Sequence, residues 1–315
     1  DVILNAEASG ASFAVQEVIR ESGTLCLHTV SETSSLTADP SIRAWNAFRF
    51  SRIGIHDAVG SAKYAAEIAK EKGLKTWMSV NPDYAYGRDS DDTFFWALKK
   101  FSPGFEIKGK GWPKIFQPDY TEVITQIARA KPDAIYTSLW GGDLVSFIDQ
   151  ALLYGIFKNT ELFAINLADY TTMSAVKNLP KGLNSATRYV AAWPNTQDNR
   201  DYDKSYTDIY GDHPTNWSWE ASVGIDYLIN ALKETRSTDT KKLAEAIKGK
   251  TRKSFMGVGD GNTVSIREKD QTIVDYSIGW GTTISNEPYM TGIQGADWNT
   301  IKELENEWLT DKGWL

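Results

Sequence analysis

The chain holds one cysteine, Cys26, and three histidines, His28, His56 and His213, among 315 residues. One cysteine excludes an internal disulfide and a thiolate metal cluster; within the apolar run from Thr24 to Leu27 it reads as a small packed hydrophobe. There is no His-Glu-x-x-His pair and no Gly-x-Ser-x-Gly elbow, so a zinc site and a Ser-His-Asp triad both lack their parts. Apolar runs are all shorter than the roughly 18 residues that span a bilayer, and no charged, apolar, then small-residue leader opens the chain. The sequence starts with the strand-like Asp1, Val2, Ile3, Leu4 and no initiating Met, an opening expected where a preceding segment has been removed or is not shown. Few thiols suit an oxidising compartment. Basic residues are outnumbered, 34 against 41 acidic, and the net charge of −7 argues against nucleic acid or an anionic membrane as main partner. No long block of one sign occurs, so the surface reads as evenly solvated.

What is present is alternation. With 41% apolar residues the length suits two cores of domain size. Strand-like and helix-like patterns follow one another along most of the chain, the signature of βαβ units and an α/β fold with parallel sheets flanked by helices. Leu25 to Thr29 reads as a strand, Ala58 to Glu71 as a helix stopped at Gly73, and Thr76 to Val80 as a strand leading into NPDYAYGRDSDDTF at 81–94. Phe94, Phe95, Leu98 and Phe101 then mark a buried helix face. A further helix face ends at Lys131-Pro132, and Asp143 reads as the N-cap of a helix that stops at Gly155. The segment 193–216 is polar and turn-rich and reads as a crossing between lobes. The region from Ser254 to Tyr276 reads as strands and turns. This order places Ser9, Tyr86, Trp140 and Asn166 at carboxyl ends of strands, where open α/β sheets bind ligands.

Several motifs dissolve on inspection. Gly104 to Lys110 imitates a phosphate loop, but Gly111 stands where the magnesium-binding hydroxyl is needed. Gly257 to Gly261 lacks the last glycine of a dinucleotide fingerprint and reads as a turn. The acids of Asp89 to Asp92 lack the glycine and distal Glu of a calcium loop and read as helix-start acids favoured by the dipole. Asn216, Trp217 and Ser218 form a glycosylation sequon, with chance occurrence as the simpler reading. What survives is a set of hydroxyls and aromatics on turns. Ser9, Ser31 and Thr33 beside backbone N–H groups suit a ligand carboxylate, while Tyr84, Tyr86, Trp140, Trp217 and Trp219 offer flat faces to an apolar or cationic part. Each aromatic taken singly is as well explained by packing; their joint placement points to a pocket.

NPDYAYGRDSDDTF at 81–94, KPDAI at 131–135 leading to SLWGGD at 138–143, SETSSLT at 31–37 and IREKDQ at 266–271 together resemble, in order and spacing, the periplasmic substrate-binding proteins of ABC importers. The type is the branched-chain amino-acid (Leu/Ile/Val) one, with the type I periplasmic binding protein fold. The resemblance implies two Rossmann-like α/β lobes joined by three crossing segments, a ligand closed between them by hinge motion, and delivery to a membrane permease. It implies a first lobe of residues 1–50 and 195–265 and a second of 51–194 and 266–315, an extracytoplasmic monomer, and neither catalysis nor a cofactor or metal. Carried over by position, Ser9 matches the carboxylate-binding serine, Ser31 and Thr33 the pair holding carboxylate and ammonium, and Tyr86 the tyrosine that closes from the second lobe. Trp140 and Trp217 match pocket aromatics, and Tyr84 packs.

Three departures shape the expectation. The family's first two βα units have no counterpart here. The loop from Ser31 to Thr37 aligns only with a gap, so Glu32 becomes a candidate to reach the ligand. The acidic partner of an α-ammonium is expected near Asn166 or Leu167, yet neither is acidic and Asp169 is displaced. The ligand is therefore an amino acid if Glu32 takes that role, and an aromatic or aliphatic carboxylate if no acid does. The rival readings are a cytoplasmic ligand-sensing regulator on the same fold and an α/β enzyme using Glu32, Asp143 or Asp169 as acid or base.

Overall fold

The computed structural model describes every residue from Asp1 to Leu315. In chain order the elements are β1 (Val2–Asn5), α1 (Ser9–Ser22), β2 (Leu25–His28), α2 (Ser35–Ala38), β3 (Ala47–Arg49), α3 (Gly54–Lys72), β4 (Thr76–Val80), α4 (Ala85–Phe101) and β5 (Glu106–Gly111). Then come α5 (Thr121–Ala130), β6 (Ala134–Thr137), α6 (Gly141–Leu153), β7 (Glu161–Asp169), α7 (Tyr170–Ala175), β8 (Asn184–Tyr189), α8 (Gln197–Tyr210), α9 (Asn216–Thr235) and α10 (Thr240–Ile247). The chain finishes with β9 (Thr251–Lys253), β10 (Thr263–Ile266), β11 (Ile273–Val274), β12 (Gly279–Thr283), β13 (Met290–Gly295) and α11 (Trp298–Lys312). No helix is long and apolar enough to cross a membrane.

These elements pack as two compact units, one of Asp1–Gly54, Pro194–Ser277 and Glu305–Leu315, the other of Ile55–Trp193 and Ile278–Leu304. In the first unit β1, β2 and β3 run parallel in that order. Arg49 then bridges in parallel to Thr272, next to β11, which pairs antiparallel with β10, and β10 with β9. That bridge brings residues 266–277 into the first unit, where the sequence boundaries assign them to the second. Arg267 does the same for the C-terminus, because its guanidinium joins Asp270 and Glu305. Under β1 to β3, Ile19, Cys26, Ala44 and Ala47 form a core with Ile3 and Val15 against it. Helix α1 ends where Gly23 takes the left-handed conformation, φ 68°, and returns its N–H to the Ile19 carbonyl, a stop that glycine makes without the steric cost a Cβ brings.

The second unit is built on a seven-stranded sheet in the order β13-β12-β8-β7-β6-β4-β5. Strands β5, β4, β6, β7 and β8 are parallel, and β12 and β13 close one edge antiparallel. The continuous apolar character of β4, β6 and β7 follows, since a parallel strand is covered on both faces. Trp77 of β4 lies 5.2 Å from Phe163 of β7, and Phe94 of α4 stacks on Tyr136 of β6 at 3.7 Å. Stacked and tilted pairs of this kind add to the area they bury.

Two local readings change. The turn-rich segment 193–216 is mostly helix α8, capped by the Thr196 hydroxyl and ended by Gly211; its polar residues are those of a surface helix, not of a loop. The acids at 89–92 lie beyond the first turn of α4, which holds none. Similarly Trp140, not Asp143, is the N-cap of α6, and Asp143 accepts the Phe116 N–H at 2.9 Å from inside the first turn.

Candidate ligand-binding site

In the first unit three backbone segments converge at the carboxyl ends of β1, β2 and β3. Ser9 opens α1, and the preceding Ala8 provides no side-chain cap, so the first N–H groups of the helix have no side-chain acceptor there. A Cβ built on Gly10 meets nothing within 4 Å. The loop after β2 is held by its carbonyls. Ser31 O accepts from Ser51 Oγ at 2.5 Å, Glu32 O from Gly54 N at 2.8 Å, and Thr33 O from Arg49 Nη2 at 2.8 Å. With three successive carbonyls engaged, the loop presents donors. Ser31 Oγ lies 3.3 Å from Ser9 Oγ, which also accepts the Thr33 N–H at 3.3 Å.

Thr33 Oγ1 is the informative atom. It is buried, with Thr33 only 4% exposed, and it has no hydrogen-bond partner. A buried hydroxyl is normally satisfied, and this one stands beside two other hydroxyls and a helix N-terminus, a set suited to carboxylate oxygens.

Glu32 is buried next to them, its Oε1 3.5 Å from Asn216 Nδ2. Asn216 opens α9 and donates to Glu220 Oε1 at 3.1 Å, and Glu220 Oε1 also accepts the Arg52 N–H at 2.9 Å. Trp219 is 0% exposed, packs 5.9 Å from Tyr276, and donates its Nε1–H to Asn216 Oδ1 at 3.1 Å. The indole expected to face ligand thus orients the amide beside Glu32. Trp217, one residue inside α9, is 38% exposed. The sequon is a capping device: Thr215 and Ser218 form a capping box, and the Asn216 amide is buried in these bonds.

In the second unit the aromatics also assemble, at the carboxyl ends of β4, β6 and β7. Tyr84 is the N-cap residue of α4 and Tyr86 its second residue. Trp140 Nε1 donates to Tyr84 OH at 3.1 Å, the rings of Tyr84 and Tyr86 are 6.0 Å apart, and Phe116 meets Trp140 edge-on at 5.9 Å. Tyr84 therefore does more than pack. Asn166 Nδ2 donates to Tyr86 OH at 2.9 Å and lies 3.0 and 3.2 Å from the carbonyls of Ser138 and Leu139. The register of β7 on β8 shifts between Ala164 and Ala168, and such an irregularity re-aims a side chain, here that of Asn166. Asp169 is committed elsewhere as the cap of α7, accepting from Thr171 N and Oγ1.

Ser9, Ser31, Glu32 and Thr33 thus form one cluster with Trp219 behind it, and Tyr86, Trp140 and Asn166 form another. Sequence reading missed Asn216, discounted as a chance sequon, and Glu220, four residues on along the same helix face. It also missed Phe116, whose neighbours carry no motif.

A family model for periplasmic binding proteins matches residues 1–279. The fold matches the solute-binding protein of an ABC transporter from Rhodopseudomonas palustris BisB5 in complex with 3,4-dihydroxybenzoic acid, with TM-score 0.81 and 21% identity over 94% of this chain and 78% of that one. It matches an amino-acid ABC transporter substrate-binding protein from Pseudomonas fluorescens Pf-5 with TM-score 0.76 and 16% identity over 94% and 78%. The Leu-, Ile-, Val-, Thr- and Ala-binding protein of Brucella ovis, in its closed conformation, gives TM-score 0.75 and 18% identity over 94% and 76%. No curated protein matches by sequence.

The chain belongs to the periplasmic binding protein family and has its type I fold. Proteins of this kind in ABC transporters bind small molecules and work with a membrane permease, and the family implies a place outside the cytoplasm.

Proposed function

We propose that this chain is the solute receptor of an ABC importer and captures a small carboxylate, with the carboxylate held by Ser9, Ser31 and Thr33 and the body of the ligand by Tyr84, Tyr86 and Trp140. Closure of the two units on the ligand then signals occupancy to the permease. The observation that carries this reading is the buried Thr33 Oγ1 without a partner, next to the hydroxyls of Ser9 and Ser31. A carboxylate oxygen supplies the missing acceptor. The aromatic second cluster, which holds no acid among Tyr84, Tyr86, Trp140 and Asn166, suits an aromatic or aliphatic body.

A second ligand class is favoured by Glu32. Its buried carboxylate beside Asn216 suits an ammonium, which makes the ligand an amino acid. Calorimetry against benzoate, 3,4-dihydroxybenzoate, leucine and valine decides between them. Glu32→Gln should abolish amino-acid binding and spare a benzoate. Ser9→Ala should weaken either class by roughly ten-fold or more, since a hydrogen bond to a charged group is worth about 1.5–3 kcal/mol. Binding of none of these carboxylates, or binding indifferent to Ser9→Ala, overturns the proposal.

A further inference from the structure

We infer that Asn81 and Asp91 are positioning residues which fix the Trp140 loop and the Asn166–Tyr86 pair in their ligand-receiving arrangement, an inference that rests on the function proposed above. Asp91 is 3% exposed. Its carboxylate accepts from Ser79 Oγ at 2.5 Å, Asn81 Nδ2 at 3.1 Å and Lys110 Nζ at 2.5 Å. A carboxylate is costly to bury unless its lone pairs are satisfied and a cation is near, and here every partner comes from β4, β5 or the residue just after β4.

The chemistry of Asp91 dictates what lies beyond it. An ionised carboxylate only accepts hydrogen bonds, so the Asn81 amide must turn its NH2 toward Asp91. Its carbonyl Oδ1 is thereby aimed the other way, where it accepts both the N–H and the hydroxyl of Ser138 at 2.8 Å. Ser138 and Leu139, so held, offer their carbonyls to Asn166 Nδ2, and Asn166 reaches Tyr86 OH. Trp140 is the next residue. One acid thus sets an amide orientation, the amide sets a loop, and the loop carries the indole. Neither Asn81 nor Asp91 belongs to the residues assigned to the ligand.

The isosteric change Asp91→Asn removes the acceptor-only character and frees the Asn81 amide to flip. Residues along such a network change binding by about two- to thirty-fold, and that loss is expected for Asp91→Asn and for Asn81→Asp with leucine or benzoate as probe. The double swap Asn81→Asp with Asp91→Asn re-forms a donor facing an acceptor and should recover most of the affinity. The penalty of Asp91→Asn should shrink in a Tyr86→Phe background, whereas a merely structural defect costs the same in both. In the ligand-free chain carrying 5-fluorotryptophan, the Trp140 fluorine resonance, assigned by Trp140→Phe, should move in Asp91→Asn. Should Asp91→Asn fail to fold, Ser138→Ala removes one donor to Asn81, leaves the acid in place, and is read the same two ways. Unchanged affinity with an unmoved Trp140 resonance, or a penalty independent of Tyr86, overturns the inference. A wild-type chain that binds no carboxylate overturns the proposed function instead, and the ligand-free resonance still decides the positioning role.

Discussion

The indole N–H of Trp140 donates to the phenol oxygen of Tyr84 across 3.1 Å, so a residue after β6 and a residue after β4 share one polar contact between two aromatic faces. Trp140→Phe keeps a ring but loses the donor. The expected loss in ligand affinity is about 0.5–1.5 kcal/mol, the worth of one neutral hydrogen bond. Tyr84→Phe should cost a similar amount, and the double variant less than the sum. Calorimetric titration of the four proteins checks this, and strict additivity would show the contact to be energetically idle.

Gly87 follows Tyr86 on α4, and a Cβ built on it stands 1.9 Å from the Pro82 carbonyl oxygen. The obstacle is backbone, so Gly87→Ala must displace the turn from Pro82 to Tyr86. Overpacking of this kind costs about 1–3 kcal/mol, and ligand affinity should fall with stability. Chemical denaturation with a parallel titration would reveal it; a variant with wild-type stability and affinity contradicts the geometry.

His28 is buried in the first unit between Asn5 Nδ2, 2.8 Å from its Nδ1, and Gln16 Oε1, 2.8 Å from its Nε2. Burial, and secondly the charge of Arg49, push its pKa from 6.5 down to about 3. Between those values the unfolded chain takes up a proton that the folded chain refuses. The stabilising effect of keeping His28 neutral is complete above pH 6.5 and is lost as pH falls toward 3, at about 1.4 kcal/mol per pH unit. His28→Asn should lower stability at pH 7 and flatten this slope between pH 6 and 4.5. Denaturant midpoints across that range test it, and parallel slopes for the two proteins rule it out.

Burial pushes the Cys26 thiol up to about 12. Thiolate is the reactive form, so a disulfide reagent at pH 8 should leave the native chain unmodified over hours and label it on unfolding in denaturant. Rapid labelling without denaturant counts against the packing described.

The alternation of strand and helix was legible because parallel strands are apolar throughout and their helices end on glycine or on Lys131-Pro132. Strands β8, β12 and β13 and helix α11 escaped notice. Asn184–Tyr189 is polar in composition although every residue of it is buried, and β12 contains two glycines, so neither shows the expected pattern. Ser9, Tyr86 and Trp140 could be placed beyond the ends of β1, β4 and β6 because strand ends are marked by turn chemistry. The bonds that set Asn166 and Asn216 were not, since they join residues distant in the chain: Asn166 to Tyr86, and Asn216 to Glu32. The acids after Arg88 misled for the same reason, because Asp91 is explained only by Ser79, Asn81 and Lys110.

The Asn216 side chain bears on how the protein is made. Its amide nitrogen lies in the interior of the first unit and binds Glu220, yet the chain carries an acceptor signal for sugar transfer at that residue. A eukaryotic secretory pathway that attached a glycan to the emerging polypeptide would place a bulky hydrophilic tree where the folded protein has no room. Material from such a host is expected to fold poorly, and a bacterial host avoids the modification while keeping the Thr215–Ser218 capping box intact.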